Sequence, residues 1–138
     1  MTVGQEVGLF EKSQTGYHWG RQHGQQPLQI HPRRQGPGIA DINPKKLEWA
    51  KQKLPERVKR FDDAEKMMRS GLVDAILIAT PHYFHPPLAI MGFHYGLHVL
   101  SEKPAGVYTK QVREMNEAAA KSDRVFAIMF NQRTNCVF

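Results

Sequence analysis

From Asp41 onward, short apolar runs alternate with segments of helical spacing, and this alternation limits the possible fold more than any other feature. Residues 73–79, VDAILIA, form a nearly continuous apolar run, which is typical of a strand buried on both faces of a parallel sheet. HVLSE at 98–102 and VFAIMF at 125–130 are further predicted strands. Strands joined through helices favour right-handed βαβ units, so we predict an α/β fold with a doubly wound parallel sheet.

Capping residues, prolines and glycines mark where four helices begin and end. Asn43 suits the cap position ahead of Pro44, which fits the first turn of a helix. Asp62 and Glu65 form a capping-box-like pair, after a short strand predicted over 57–61. The four predicted helices begin near Asn43, Asp62, Pro86 and Thr109.

Residues 1–40 differ in composition from the rest of the chain. Seven of the ten glutamines, three of the seven histidines and seven of the eleven glycines lie there, and the spacings of strands or helices are hard to find. Such a composition is typical of loop or disordered chain. We therefore divide the sequence into an anomalous, irregular segment at 1–40 and a partial sheet domain at 41–138.

The net charge of +6 belongs mainly to the same segment. Residues 12–40 contain four basic residues and no acid, and the remainder has 15 basic and 13 acidic residues, a net charge of +2. We therefore expect no nucleic-acid partner. No run of about 18 apolar residues is present, so no membrane span is expected. The single cysteine, Cys136, excludes an intrachain disulfide and favours the cytoplasm.

Two polar clusters follow predicted strands, and both are expected at the carboxyl edge of the sheet. Thr80 and Pro81 end the strand at 73–79, where the proline turns the chain away from the strand direction. Glu102 and Lys103 end the strand HVLSE. Ligands bind at this edge of open α/β sheets. A lysine beside an acid can donate or accept a proton there, so the two clusters are candidates for a catalytic crevice.

The order and spacing of these residues resemble a known family. The stretch ATPHYFHPPLAIMGFHYGLHVLSEKPAGVYTKQVREMNEAAA carries a Thr-Pro turn, a following histidine at His85, a Gly-x-His-Val strand and a Glu-Lys-Pro turn. It resembles the oxidoreductases named after glucose–fructose oxidoreductase, inositol dehydrogenase and the MocA protein, from about Ala40 to Asn135. The resemblance implies a Rossmann-like domain that binds NAD or NADP, followed by a substrate domain. It also implies hydride transfer between nicotinamide and a sugar or polyol.

The same resemblance implies roles for individual residues. Lys103 is the implied catalytic residue, which binds the reacting oxygen and assists proton transfer. The Lys103–Pro104 peptide bond is implied to be cis. The residues implied to contact the cofactor, in addition to Lys103, are Thr80, Pro81, His85, Glu102, Asn131 and Arg133.

Asp41 ends the element that precedes the first helix and offers a carboxylate to a dinucleotide. An acid at this position of a dinucleotide-binding fold hydrogen-bonds the adenosine ribose hydroxyls and favours NAD over NADP. The segment ADINPKKL resembles the family here as well. We therefore predict NAD as the cofactor and a small sugar- or polyol-type molecule as the binding partner. The alternative is that Asp41 only belongs to a turn with Asn43.

The phosphate-binding part of the expected fold has no counterpart in the sequence. A strand–GxGxxG–helix unit is expected ahead of the first predicted helix, but Gly4 and Gly8, like Gly36 and Gly38, have the wrong spacing. One hypothesis is that residues of roughly 4–39 are read out of frame between two compensating indels, since their number is right and their composition foreign. We also expect the chain to lack the substrate domain, and therefore to be a truncated and inactive form of the enzyme.

Three other functions stay open on the sequence alone. A non-catalytic remnant or interaction module would retain the Rossmann-like sheet without the phosphate loop. A zinc site would use two histidine pairs, although no metal is the favoured expectation; these are His82, His85, His94 and His98. A nucleic-acid surface would use interleaved aromatic and basic residues, namely Tyr17, Trp19, Arg21, Arg33 and Arg34. The sequence names neither the substrate nor the oligomeric state.

Overall fold

In this computed structural model the described residues are 6–8, 38–130 and 133. Most of the segment at 1–40 lies outside them, as do Asn131 and the aromatic and basic residues considered for nucleic-acid binding. In chain order the elements are β1 (Glu6–Gly8), β2 (Gly38–Asp41), α1 (Pro44–Lys53), β3 (Lys59–Phe61), α2 (Ala64–Arg69), β4 (Ala75–Ile78), a 3₁₀ turn (His82–Phe84), α3 (His85–His94), β5 (His98–Glu102), α4 (Thr109–Lys121) and β6 (Phe126–Met129).

The strand order β3-β2-β1-β4-β5-β6 is that of a doubly wound sheet. The pairs β2 with β3, β4 with β5 and β5 with β6 are parallel, which confirms the predicted α/β class. The centre of the sheet differs from the sequence interpretation. Glu6–Gly8, inside the segment expected to be irregular, form β1, which pairs antiparallel with β2 and with β4. This pairing satisfies backbone groups of β2 and β4 that would otherwise form open edges.

Capping side chains determine where the first two helices begin. The Asn43 side chain accepts a first-turn N–H at 3.0 Å, and α1 begins at Pro44 as expected. α2 begins one residue later than expected, because its cap is Asp63, whose side chain accepts the Lys66 N–H at 2.9 Å. Asp62 instead pairs with the Lys66 ammonium, also at 2.9 Å. Two adjacent aspartates therefore divide the capping and ion-pairing roles.

The last two helices also begin close to their expected positions. α3 starts at His85, so both following prolines lie in its first turn, where backbone N–H groups have no partner within the helix. Gly96, with a φ of 70°, follows the end of α3. Thr109 is the first residue of α4 and not its cap; Tyr108 holds the cap position without a side-chain hydrogen bond. No helix in the described ranges is long and apolar enough to cross a membrane.

The core lies where α2, α3 and α4 cover the sheet. Gly92 of α3 approaches β4 and β5 so closely that an added Cβ would lie 2.8 Å from Ile76 Cδ1. The Phe93 ring meets the Phe126 ring edge-on, with 5.5 Å between centroids. The core side chains include Met67, Ile76, Ile78, Leu88, Leu97, Val99 and Met115. This packing makes the strands a rigid support for the residues at their ends.

Candidate functional site

The parallel strands end at one edge of the sheet, and the residues expected to form a site lie along that edge. The register pairs Ile78 with Ser101, so β4 and β5 end together. Thr80 and Lys103 follow these two strand ends, and Asp41 is the last residue of β2. The convergence predicted from the order of strands and turns is therefore present.

Asp41 is a buried carboxylate whose two oxygens have different surroundings. The residue is 2% exposed, and Oδ1 accepts the Asn43 N–H at 2.7 Å, so Asp41 does belong to a turn. Within the described residues Oδ2 has no hydrogen-bond donor, and the Lys46 ammonium lies 3.6 Å from it. A buried acceptor without a donor costs about 1–3 kcal/mol. This oxygen suits a ligand that brings hydroxyl donors, and the ribose of a dinucleotide fits that requirement.

His85 connects the turn after β4 to the turn after β5. Its side chain is fully buried, with 0% exposure. Nε2 lies 2.8 Å from the Thr80 carbonyl oxygen, and Nδ1 lies 2.7 Å from the Pro104 carbonyl oxygen. Both ring nitrogens therefore contact backbone, and an effect of His85 on a cofactor would act through the two turns that it joins. The half-buried Pro81 follows Thr80, whose hydroxyl lies 3.4 Å from the Pro81 carbonyl oxygen.

These contacts also bear on the zinc alternative. Both ring nitrogens of His85 face backbone carbonyl oxygens, so neither is directed at a metal ion shared with His82. The Nδ1 atom of His98 accepts the Val125 N–H at 2.9 Å. Among the residues that the structure describes, no group of three or more His, Cys, Asp or Glu side chains has a metal-binding arrangement.

Lys103 and Glu102 lie at the end of β5. Lys103 is exposed, Glu102 is half-buried, and Glu102 Oε2 accepts the Lys103 N–H at 3.2 Å. The Lys103–Pro104 peptide bond is cis, which confirms what the family resemblance implied. An exposed lysine at the ligand-binding edge of a sheet can hold and transfer a proton.

Arg133 lies beyond the end of β6. Its N–H donates to the Phe130 carbonyl oxygen at 2.9 Å, and its guanidinium lies over the Phe130 ring, 5.1 Å from the centroid. The exposed side chain is thus on the side of the sheet edge where β5 and β6 end. Its expected partner in cofactor or substrate contact, Asn131, lies outside the described residues.

Two features at this edge were missed by the sequence interpretation. A Cβ at Gly106 would lie 2.7 Å from Pro86 Cγ and 2.9 Å from Val112 Cγ2, so the turn after β5 packs tightly against α3 and α4. A glycine between a strand and a helix was the only sequence signal for this approach. The exposed rings of Tyr83 and Tyr108 lie 6.4 Å apart ahead of the same helices. No local pattern signals an aromatic pair so distant in sequence.

Sequence comparison extends the resemblance over most of the chain. A sequence model described as "Oxidoreductase family, NAD-binding Rossmann fold" matches residues 15–130. The D-glucoside 3-dehydrogenase of Escherichia coli (strain K12) is 33% identical over 73 residues, which cover 53% of this chain and 21% of that protein. The scyllo-inositol 2-dehydrogenase (NADP(+)) IolU of Bacillus subtilis (strain 168) is 41% identical over 59 residues, which cover 43% and 18%. The chain thus spans about a fifth of the length of these relatives.

Solved structures share the fold. The WlbA dehydrogenase from Bordetella pertussis, in complex with NADH and UDP-GlcNAcA, has a TM-score of 0.67 at 29% identity, over 72% of this chain and 30% of that chain. The scyllo-inositol dehydrogenase from Lactobacillus casei, with bound NAD(H) and scyllo-inositol, has a TM-score of 0.67 at 28% identity, over 72% and 29%. The family match spans most of the sequence and agrees with the strand order. The chain therefore belongs to the oxidoreductase family with an NAD-binding Rossmann fold.

Proposed function

We propose that this chain supplies the NAD-binding domain of a cytoplasmic enzyme that transfers hydride to or from a sugar- or polyol-type substrate. The observation that carries the proposal is the buried Asp41 carboxylate at the sheet edge that also holds Lys103, because one of its oxygens has no hydrogen-bond donor among the described residues. The names of relatives that act on D-glucosides and scyllo-inositol support the substrate class. The single cysteine supports the compartment.

Asp41 is proposed to bind the adenosine ribose. Its Oδ2 accepts hydrogen bonds from the ribose hydroxyls, while the Asn43 N–H holds the other oxygen in place. A 2′-phosphate would bring a second negative charge to a buried carboxylate, so NAD is favoured over NADP. The ammonium of Lys46, 3.6 Å away, reduces this repulsion without removing it.

Lys103 is the proposed catalytic residue. When bound, NAD supplies the hydride acceptor or donor. The exposed Lys103 ammonium donates a hydrogen bond to the reacting oxygen and holds the proton that leaves or joins it. Glu102 accepts the Lys103 backbone N–H and thereby fixes the start of the turn. The other proposed cofactor contacts are Thr80, Pro81, His85, Asn131 and Arg133.

Fluorescence titration with NADH tests the cofactor site on this chain. Asp41→Asn keeps the shape of the side chain but removes its charge, and a charge-assisted hydrogen bond is worth about 1.5–3 kcal/mol. We expect the Kd for NADH to rise roughly 10- to 100-fold, and the preference for NADH over NADPH to shrink. Lys110→Met, at an exposed position of α4, is the matched control and should leave the Kd unchanged. Equal affinity of the Asp41→Asn variant and the natural chain would refute the ribose role.

A non-catalytic interaction module is the second candidate, and the direction of β1 favours it. Glu6 pairs with Asp41, so β1 begins near the candidate site and ends toward the opposite edge of the sheet. A parallel first strand would instead lead into the helix N-terminus that receives the pyrophosphate of a dinucleotide. If NADH produces no saturable change in fluorescence, this second function replaces the first.

A further inference from the structure

The two hydrogen-bond partners of His85 can only accept. Each is a backbone carbonyl oxygen, one from Thr80 and one from Pro104, and neither carries a proton. A neutral imidazole has one N–H and one nitrogen lone pair, so it can donate to only one of the two. The other contact would then place a lone pair against a carbonyl oxygen at 2.7 or 2.8 Å. A ring with an N–H on both nitrogens satisfies both contacts.

Burial raises the cost of a missing hydrogen bond at the ring, and it also disfavours a charged ring, so the two carbonyl contacts must offset that desolvation. His85 has 0% exposure, so water does not replace a missing hydrogen bond at the ring. Thr80 is buried as well, and its carbonyl lies just beyond the β4–β5 ladder, which ends at the pair Ile78–Ser101. The His85 ring therefore supplies a donor to the chain just beyond the described ladder of β4 and β5.

Three titratable residues lie close to the His85 ring in space or close to its partner Pro104 in the chain. His82, in the 3₁₀ turn, meets the His85 ring edge-on, with 5.7 Å between centroids. Glu102 at the end of β5 and Lys103 in the turn both precede Pro104 in the chain. The half-buried Glu102 carboxylate contributes the negative charge in this group.

We propose that His85 is a positioning residue that carries an N–H on each ring nitrogen and ties the Lys103–Pro104 turn to the end of β4. The ring joins backbone segments that are 5 and 19 residues away from it in sequence. It thereby sets where the chain leaves β5, and so where Lys103 begins. The functional meaning of this tie rests on the catalytic role proposed for Lys103, while the tie itself does not.

Nitrogen NMR of the histidine rings in the natural chain, at neutral pH, tests the two N–H groups. His98 is the internal control, because its Nδ1 accepts the Val125 N–H and must be unprotonated. Burial, and secondarily the charge of Arg124, lower the pKa of His98, which keeps that ring neutral. We expect one-bond N–H couplings on both nitrogens of His85 and on Nε2 alone of His98. A His85 ring with one unprotonated nitrogen would overturn the proposal.

A variant pair tests the positioning role. His85→Gln can place donors from only one nitrogen, whereas His82→Gln alters an exposed neighbouring ring and is the matched control. We expect His85→Gln to shift the amide resonances of Lys103 and to change severalfold the acylation rate of its amine relative to Lys110, with no change in His82→Gln. Unchanged Lys103 resonances and reactivity in folded His85→Gln would refute positioning. If that variant does not fold, the ring spectrum of the natural chain decides.

The two proposals fail in different ways. Loss of saturable NADH binding would remove the proposed function but would leave the His85 ring spectrum and the Lys103 reactivity as expected. A single N–H on His85 would remove the positioning proposal while NADH binding to the natural chain, through Asp41, stayed intact.

Discussion

Replacing Gly106 by alanine tests how tightly the turn after β5 is held. The added Cβ would lie 2.7 Å from Pro86 Cγ and 2.9 Å from Val112 Cγ2. The Pro86 ring is fully buried and cannot rotate away, so overpacking should cost about 1–3 kcal/mol. Alanine also restricts the unfolded chain more than glycine does, and this effect offsets about 0.4–1 kcal/mol of the destabilisation. The net loss of about 1–2 kcal/mol should lower the urea midpoint by roughly 0.5–1 M, with an unchanged slope.

A second substitution identifies the cause of this loss. Val112→Ala removes Cγ2, one of the atoms that the new Cβ would meet, so Gly106→Ala should cost less in that background. Gly71→Ala is the control, because its Cβ would meet nothing within 4 Å and its cost arises from a φ of 72°. That cost should be the same with and without Val112→Ala. An unchanged urea midpoint for Gly106→Ala, or full additivity with Val112→Ala, would show that the turn is not packed as described.

Burial lowers the pKa of His98 in the folded chain below its ordinary value of 6.5. As the pH falls, His98 is therefore protonated in the unfolded chain before it is protonated in the folded chain. The free energy of unfolding should keep its full value above about pH 6.5 and should decrease as the pH drops from there toward the folded pKa. Urea unfolding across this range should show the slope, and His98→Gln should reduce it. The hydrogen bond from Tyr95 to Glu65 (2.6 Å) raises the pKa of Tyr95 above 10.0, so Glu65→Gln should move its NMR titration to lower pH. Gly92→Ala should destabilise the fold, because the added methyl would contact Ile76 Cδ1. Ile76→Val removes that atom and should therefore reduce the destabilisation caused by Gly92→Ala. Equal destabilisation with Ile76 and with Val at that position would contradict the close approach.

Local sequence signals predicted most of the described fold. HVLSE is β5 without change, and VDAILIA and VFAIMF contain β4 and β6, which are shorter than the apolar runs because pairing covers only part of each run. The observed start of α2 differs by one residue from the predicted start, because the neighbours Asp62 and Asp63 can both cap a helix. The doubly wound class followed from the alternation of strands and helices, since right-handed crossovers leave few arrangements.

The candidate site was predictable only in part. Thr80 and Lys103 were placed correctly at one edge, because parallel strands joined through helices bring their carboxyl ends together. The contact between His85 and Pro104 was not predictable, since it joins atoms 19 residues apart through backbone carbonyls that leave no trace in the side-chain pattern. β1 was missed for a related reason. Three residues without periodicity are held in the sheet by pairing on both sides.

The direction of β1 changes the kind of connection that the start of the chain must make. The pairs β2 with β3, β4 with β5 and β5 with β6 are parallel, and each is joined by a crossover, which has a fixed hand. β1 and β2 are antiparallel neighbours, so the end of one and the start of the other lie at the same edge, and a hairpin-type connection of either hand suffices. If the three residues of β1 ran in the opposite direction, β1 and β2 would be parallel, and a right-handed crossover would be needed to join them. The hand of the connection between β1 and β2 is thus not fixed by their pairing, whereas the hand of a crossover between parallel strands is.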